Sequence, residues 1–91
     1  MSEWLVLVNP LAGRGRHAAR RTREALAAYG VDADVRVPTT PSAMRAAVDA
    51  GVDEGRTRFV AVGGDGTANL VADQLLEHPW STPPVLGLLP G

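Results

Sequence analysis

The residues best suited to chemistry lie in one short segment, Gly-Gly-Asp-Gly-Thr-Ala-Asn at positions 63–69. Its three glycines in four positions let a ligand approach the backbone without meeting a β-carbon. A helical pattern follows, and the free N–H groups and positive dipole end of a helix start suit a phosphate. The Asp65 carboxylate would repel a phosphate unless a divalent cation or a sugar hydroxyl lies between them, and Thr67 is a candidate cap for the helix. The segment therefore predicts a bound nucleotide together with Mg²⁺.

A second glycine-rich segment has the sequence Asn-Pro-Leu-Ala-Gly-Arg-Gly-Arg at positions 9–16. Residues 13–18 fit the dinucleotide pattern G-x-G-x-x-A, but residues 9–12 separate the glycines from the strand before them. The acidic residue expected at the end of the second strand is also missing. Neither glycine segment is followed by Gly-Lys-Ser/Thr, which excludes a Walker loop. Arg14 and Arg16 lie where a guanidinium group could neutralise phosphate charge.

Hydrophobic periodicity predicts a β-α-β-α-β-α-β order of elements. Strands are predicted at residues 4–8, 31–37, 58–62 and 85–89. Helices are predicted at residues 16–29 with Gly30 as the terminating glycine, from Pro41 after a Thr40 cap to a frayed end at 51–55, and at 66–77. All these strands except the second are apolar on both faces, which predicts an α/β fold in which helices cover both faces of a parallel sheet.

The connections of such a fold bring the candidate segments together. Right-handed crossovers place the loops at residues 9–15, 38–40 and 63–67, together with residues 90–91, along one edge of the sheet. In open α/β sheets this is the edge where ligands bind. The sequence therefore predicts one nucleotide site built from several loops.

Composition limits the function classes further. The 91 residues suffice for one small domain, contain no apolar run of membrane-spanning length, and lack a basic N-terminal signal region. There are no cysteines, and no His/Asp/Glu cluster has metal-ligand spacing, so no protein-held metal site is predicted. The net charge of −1 gives no reason to expect nucleic acid as a partner. We expect a cytoplasmic protein.

Three segments in this order resemble the diacylglycerol kinase catalytic domain, a lipid kinase family in a wider superfamily with sphingosine kinases and NAD kinases. Residues 9–15 resemble its N-P-x-A-G-x-G opening, residues 63–67 are identical to its G-G-D-G-T signature, and residues 86–91 resemble its next strand. The resemblance implies a three-layer Rossmann-like nucleotide-binding domain at residues 1–91, truncated before a β-rich lipid-binding domain. It also implies Mg²⁺-dependent transfer of the ATP γ-phosphoryl group to a lipid hydroxyl such as that of diacylglycerol, with this fragment inactive by itself.

The family motifs also imply the site residues. Asp65 is the candidate catalytic residue, and Mg²⁺ would be held mainly by the nucleotide phosphates and water, with Asp65 as an outer partner. Thr40 is favoured over Thr39 as the contact after the second strand. Leu70 departs from the Glu that many bacterial members have at this position. The implied nucleotide contacts are Asn9, Pro10, Leu11, Ala12, Gly13, Thr40, Gly64, Asp65, Gly66, Thr67, Ala68 and Asn69.

Two other functions stay open on the sequence alone: an NAD kinase-like enzyme, and a non-catalytic dinucleotide-binding module. The expected partners are ATP and, through the missing domain, a lipid, with peripheral contact at the inner membrane face and homodimerisation through an uncovered sheet edge as further options. His78, beside Pro79, is interpreted as a helix C-terminal residue whose charge suits the dipole.

Overall fold

The computed structural model describes residues 4–10 and 15–90, which form a parallel β-sheet between helices. The elements are β1 (Trp4–Val8), α1 (Gly15–Ala28), β2 (Ala33–Arg36), α2 (Pro41–Asp53), β3 (Arg58–Val62), α3 (Asp65–Leu76) and β4 (Val85–Leu89). Within the described residues the strand order is β2-β1-β3-β4, and every neighbouring pair is parallel. The predicted order of elements and the α/β fold class are confirmed.

The helices cover both faces of the sheet because β1 alternates its side chains between two cores. Leu5 and Leu7 pack with Phe59 of β3 and with apolar residues of α2 and α3. Val6 and Val8 point to the opposite face, where α1 packs. All four of these β1 side chains are fully buried, and β1 pairs with a strand on each side, so it is an interior strand of the described sheet.

The crossovers leave β1 in opposite directions. The chain passes from β1 through α1 to β2 on one side, and then through α2 to β3 on the other side of β1. The strand order therefore reverses between β1 and β3, and a crevice opens at the carboxyl ends of these two strands.

The boundaries of β2 differ from the prediction. The strand covers Ala33–Arg36 rather than residues 31–37, because the end of α1 uses the preceding backbone. Gly30 has a φ of 68° and reverses the chain, as predicted, and the Val31 N–H donates to the carbonyl of Leu26 at 2.9 Å. Val31 therefore belongs to the helix terminus and not to the strand.

The start of α3 and the covering of β4 also differ. The helix begins at Asp65, one residue before the predicted start. In β4, Val85, Leu88 and Leu89 are 51%, 59% and 44% exposed, although the apolar composition of the strand predicts helices over both faces. Among the described strands β4 lies at the edge of the sheet and pairs with β3 alone. Homodimerisation through this edge stays a prediction.

Four charged residues join β2 to the turn after α2, a grouping that was not predicted from the sequence. Arg36 Nη2 lies 2.8 Å from Asp34 Oδ2 and 2.7 Å from Glu54 Oε1. The buried Arg56 contacts the same two carboxylates, at 2.9 Å and 3.3 Å respectively. The hydrogen bond from Arg36 lowers the pKa of Glu54, and the pKa of Arg36 is raised by the same contact. These contacts fix the edge strand β2, from which the loop at residues 38–40 leaves.

Candidate functional site

A cavity of about 380 Å³ opens where β1, β2 and β3 end, at the crevice between β1 and β3. It is within the size range of small-molecule sites. Residues from three of the predicted segments, at Asn9, 38–40 and 64–67, therefore meet at this cavity, whereas Pro90 of the fourth segment lines a separate groove beside α1. The cavity is lined by Asn9, Pro38, Thr39, Thr40, Pro41, Met44, Gly64, Gly66, Thr67 and Leu70.

The glycine segment forms the turn from β3 into α3. Gly64 is the N-cap residue, and no side chain caps this helix, so the expectation that Thr67 caps it is wrong. Since α3 begins at Asp65, Thr67 already lies inside the first turn, and its hydroxyl instead accepts a hydrogen bond from Asn9 Nδ2 at 2.9 Å. The amide groups of the first helical turn have no partner within the helix and suit an anionic ligand.

The second wall of the cavity is the start of α2. Thr40 is the N-cap residue of this helix, as predicted, and its hydroxyl accepts a hydrogen bond from the Ala43 N–H at 3.0 Å. Pro41 occupies the first turn, where its missing N–H has no cost. Both Thr39 and Thr40 line the cavity, so position alone does not distinguish between them.

One side of the cavity is apolar. Pro38 and Pro41 lie at the β2–α2 loop, Met44 comes from the first turn of α2, and Leu70 comes from α3. Met44 is at the same time a buried residue of the hydrophobic core. Its position one turn after the cap, and therefore close to the ligand edge, is the signal that could have placed it at the site.

The predicted site residues fall into three groups: residues that line the cavity, described residues that do not line it, and residues outside the described part of the chain. Asn9, Thr40, Gly64, Gly66 and Thr67 line the cavity. Among the described residues, the cavity lining does not include Pro10, Asp65, Ala68 or Asn69, although all are adjacent in sequence to residues that do line it.

Asp65 is exposed in the first turn of α3, and Asn69 faces a neighbouring groove that also contains Arg45. Leu11, Ala12 and Gly13 lie outside the described residues, as do Arg14 and the side chain of Arg16.

The charge of the cavity comes from the backbone. None of the described lining residues carries a charged side chain. The starts of α2 and α3 both line the cavity, and the N-terminus of each helix carries positive potential; Asp65 is the one acidic residue in the first turn of α3. In residues 4–10 and 15–90 no group of three His, Cys, Asp or Glu side chains could hold a metal ion.

The comparison with known families agrees with this geometry. The family model for the diacylglycerol kinase catalytic domain matches residues 3–91. The chain belongs to this family. No curated protein matches the chain. As a member of the diacylglycerol kinase family it is a lipid kinase-like catalytic domain, and kinase domains of this kind generally use ATP and Mg²⁺.

Leu70, where the family resemblance led us to expect Glu, lies in the cavity wall and contributes an apolar side chain to it.

No helix in the described residues is sufficiently long and apolar to cross a lipid bilayer.

A second polar cluster lies near the C-terminal ends of α2 and α3, far along both helices from the cavity. Asp49 Oδ1 is 2.7 Å from His78 Nε2 and accepts a hydrogen bond from Gln74 Nε2 at 2.8 Å. The hydrogen bond from Gln74 and, to a smaller extent, the hydrogen bond from His78 lower the pKa of Asp49. His78 thus has a side-chain partner on a neighbouring helix, which the dipole interpretation did not include.

Proposed function

We propose that this chain is the nucleotide-binding domain of a lipid kinase that transfers the γ-phosphoryl group of ATP to a lipid hydroxyl such as that of diacylglycerol. The observation that carries the proposal is the cavity at the β1–β3 crevice, formed by the family's glycine segment in a chain that belongs to this family. The lipid would be bound by a β-rich domain beyond residue 91, and residues 1–91 alone would bind nucleotide without turnover.

The lining of the cavity favours an arrangement in which the base of the nucleotide contacts an apolar wall and its ribose and phosphates contact a polar wall. Met44, Leu70 and the two prolines offer apolar surface to a flat base. Asn9, with Thr39 or Thr40, offers hydrogen-bonding groups to the ribose or a phosphate. The backbone amides at the start of α3 face the same space and suit the phosphates.

Asp65 would act beside the phosphates. Without a cation between them, its exposed carboxylate at the N-terminal turn of α3 would repel the phosphates of the nucleotide. Bound Mg²⁺ neutralises phosphate charge in phosphoryl transfer. Since the described residues contain no three-ligand cluster, the ion would be held mainly by the nucleotide and water, and Asp65 would orient that hydration shell.

The proposed reaction forms a bond between the lipid hydroxyl oxygen and the γ-phosphorus, and it breaks the bond from that phosphorus to the β–γ bridging oxygen. ADP leaves, and the hydroxyl proton passes to a base outside residues 1–91. The residues of this chain contribute positioning and charge stabilisation, which account for most of the catalysis in phosphoryl transfer.

We also propose that the protein is cytoplasmic and contacts the inner membrane face peripherally, because its acceptor is a lipid. This part of the proposal follows from the family and is tested by measuring how much protein sediments with vesicles that contain diacylglycerol.

The nucleotide site is tested by NMR titration of the isotope-labelled chain with Mg-ATP and, separately, with NAD. Chemical-shift changes at residues 63–69 and at Asn9 with Mg-ATP support the proposal, and the Gly64→Val variant should lose them. A response to NAD alone would instead identify a dinucleotide-binding module. Transfer of ³²P from ATP to diacylglycerol by the full-length protein, and none by residues 1–91, tests the reaction and the expected inactivity of the fragment.

A further inference from the structure

The loop after β1 and the first turn of α3, which are far apart in sequence, are joined directly at the cavity. Asn9 Nδ2 donates to Thr67 Oγ1 at 2.9 Å across a separation of 58 residues. The backbone N–H of Asn9 also donates to the carbonyl of Val62 at 3.0 Å. Thr67 is only 7% exposed, so its hydroxyl is held in a fixed environment. The hydrogen bond therefore fixes the Asn9 carboxamide at the cavity wall relative to the first turn of α3.

The first glycine of the segment lies against this contact. A β-carbon on Gly63 would stand 2.5 Å from Thr67 Oγ1 and 2.9 Å from Thr67 Cβ, closer than real β-carbons come to other atoms. The Thr67 side chain cannot rotate away without losing its hydrogen bond to Asn9. The Gly63 backbone is also held, since its N–H donates to the carbonyl of Leu89 at 3.0 Å.

The other two glycines are in a different situation. A β-carbon on Gly64 or Gly66 would meet no protein atom within 4 Å, and neither residue has a positive φ. Both line the cavity. Nothing in the described packing requires glycine at these two positions, so the space left by their missing side chains is open.

We propose that Gly63 and Thr67 are positioning residues for the nucleotide, and that Gly64 and Gly66 are the glycines whose missing side chains admit it. This inference rests on the proposed function. In it, the Thr67 hydroxyl acts through Asn9: it holds the carboxamide and the start of α3 in the arrangement that the nucleotide meets. Gly63 provides the room that this hydrogen bond needs.

The hydroxyl is tested with Thr67→Val, which keeps the side-chain shape and removes the acceptor, and with Thr67→Ser, which keeps the acceptor. The dissociation constant for Mg-ATP is measured on the purified protein, with Thr22→Val on α1 as the control because Thr22 is also a helical threonine with only 9% exposure. We expect Thr67→Val to raise the dissociation constant roughly tenfold, the equivalent of one hydrogen bond. Thr67→Ser and Thr22→Val should bind nearly as the wild type does. Wild-type affinity in Thr67→Val would overturn the proposal.

The division among the glycines is tested by melting temperature without ligand. Gly63→Ala should melt well below the wild type, or fail to fold, while Gly64→Ala should melt close to the wild type and yet bind Mg-ATP more weakly. Equal melting temperatures for the two variants would overturn the assignment of Gly63. If the wild-type protein binds no Mg-ATP, the proposed function fails, but the order of melting temperatures still decides whether the fold requires glycine at position 63, where φ is 158° and Thr67 is in contact, and not at position 64.

Discussion

Asp49 on α2 and His78 just beyond α3 meet through a contact of 2.7 Å between Oδ1 and Nε2. Hydrogen bonds from Gln74 and His78 lower the pKa of Asp49 below its ordinary value of 3.8. The contact thus joins the ends of the two helices that form one face of the cavity, and it favours the ionised carboxylate.

This contact predicts a loss of stability in acid. A carboxyl group with a lowered pKa in the folded state contributes stability above its unfolded pKa, and the contribution disappears as the pH falls through the folded value. Below about pH 4 the wild type should therefore lose roughly 0.5 kcal/mol more than Asp49→Asn, a small difference because the carboxylate is partly exposed. Thermal unfolding followed by circular dichroism at pH 7 and pH 3 measures it. Asp73→Asn, on α3 outside this cluster, should keep the acid sensitivity of the wild type, and equal curves for wild type and Asp49→Asn would contradict the prediction.

The packing of α2 on the sheet predicts that any residue larger than glycine at position 51 destabilises the fold. A β-carbon at Gly51 would stand 2.5 Å from Leu5 Cδ2 and 3.1 Å from Phe59 Cε1, and both of these side chains are fully buried. Gly51→Ala should therefore lower the free energy of unfolding by about 1–3 kcal/mol, despite the better helix propensity of alanine. Urea denaturation measures the loss. In the double variant with Leu5→Val the combined loss should be smaller than the sum of the two single losses, and strict additivity would rule out this contact as the cause.

Substitutions of Thr39 and Thr40, the two threonines after β2, should differ in their effects on stability. Thr40→Ala removes the N-cap of α2 and should cost about 1 kcal/mol, while Thr40→Ser should retain most of the stability. Thr39 is exposed, and Thr39→Ala should leave stability unchanged within about 0.5 kcal/mol. The affinity of both alanine variants for Mg-ATP, measured by calorimetry, then shows which hydroxyl contacts the nucleotide. We expect the larger loss of affinity for Thr40→Ala, and the opposite order would assign the contact to Thr39.

The proposed role of Asp65 predicts a loss of turnover without unfolding. In the full-length protein Asp65→Asn should lower kcat by about a hundredfold or more, because the variant no longer carries the charge that would orient the hydrated Mg²⁺. Its melting temperature should stay within about 3 °C of the wild type, since the side chain is exposed. Glu77→Gln, an exposed carboxylate at the other end of α3, is the control and should retain activity. Wild-type turnover in Asp65→Asn would remove Asp65 from the site.

The parts of the structure that follow local rules were predictable from the sequence. The element order follows from apolar periodicity, and the convergence of loops follows from the handedness of crossovers. The terminating role of Gly30 and the capping role of Thr40 are set by backbone chemistry within a few residues. The later start of β2 follows from the same local chemistry, because the helix terminus that Gly30 forms also includes Val31.

The parts that depend on distances between elements were not predictable. The contact between Asn9 and Thr67 spans 58 residues, and that between Asp49 and His78 spans 29, so neither follows from spacing along one helix or strand. The three glycines of the signature are identical in the sequence, and only the folded structure distinguishes Gly63 from the other two, by its contact with the Thr67 side chain and by its φ of 158°. The apolar cavity wall was also not predicted, because Met44 lines the site while it packs in the core.

The interior position of β1 has a consequence for how the protein is made. Both neighbours of β1 come later in the chain, and the pairing with β3 requires residues as far as Val62. During synthesis one edge of β1 can pair with β2 once Ala33–Arg36 has left the ribosome, but its other edge stays unpaired until β3 follows, after more than half of the described chain. Each strand pairing joins segments that are distant in sequence, which slows folding for a domain of this size and leaves one edge of β1 open to aggregation in the interval. A nascent chain that stops before β3 should depend on chaperones to remain unaggregated.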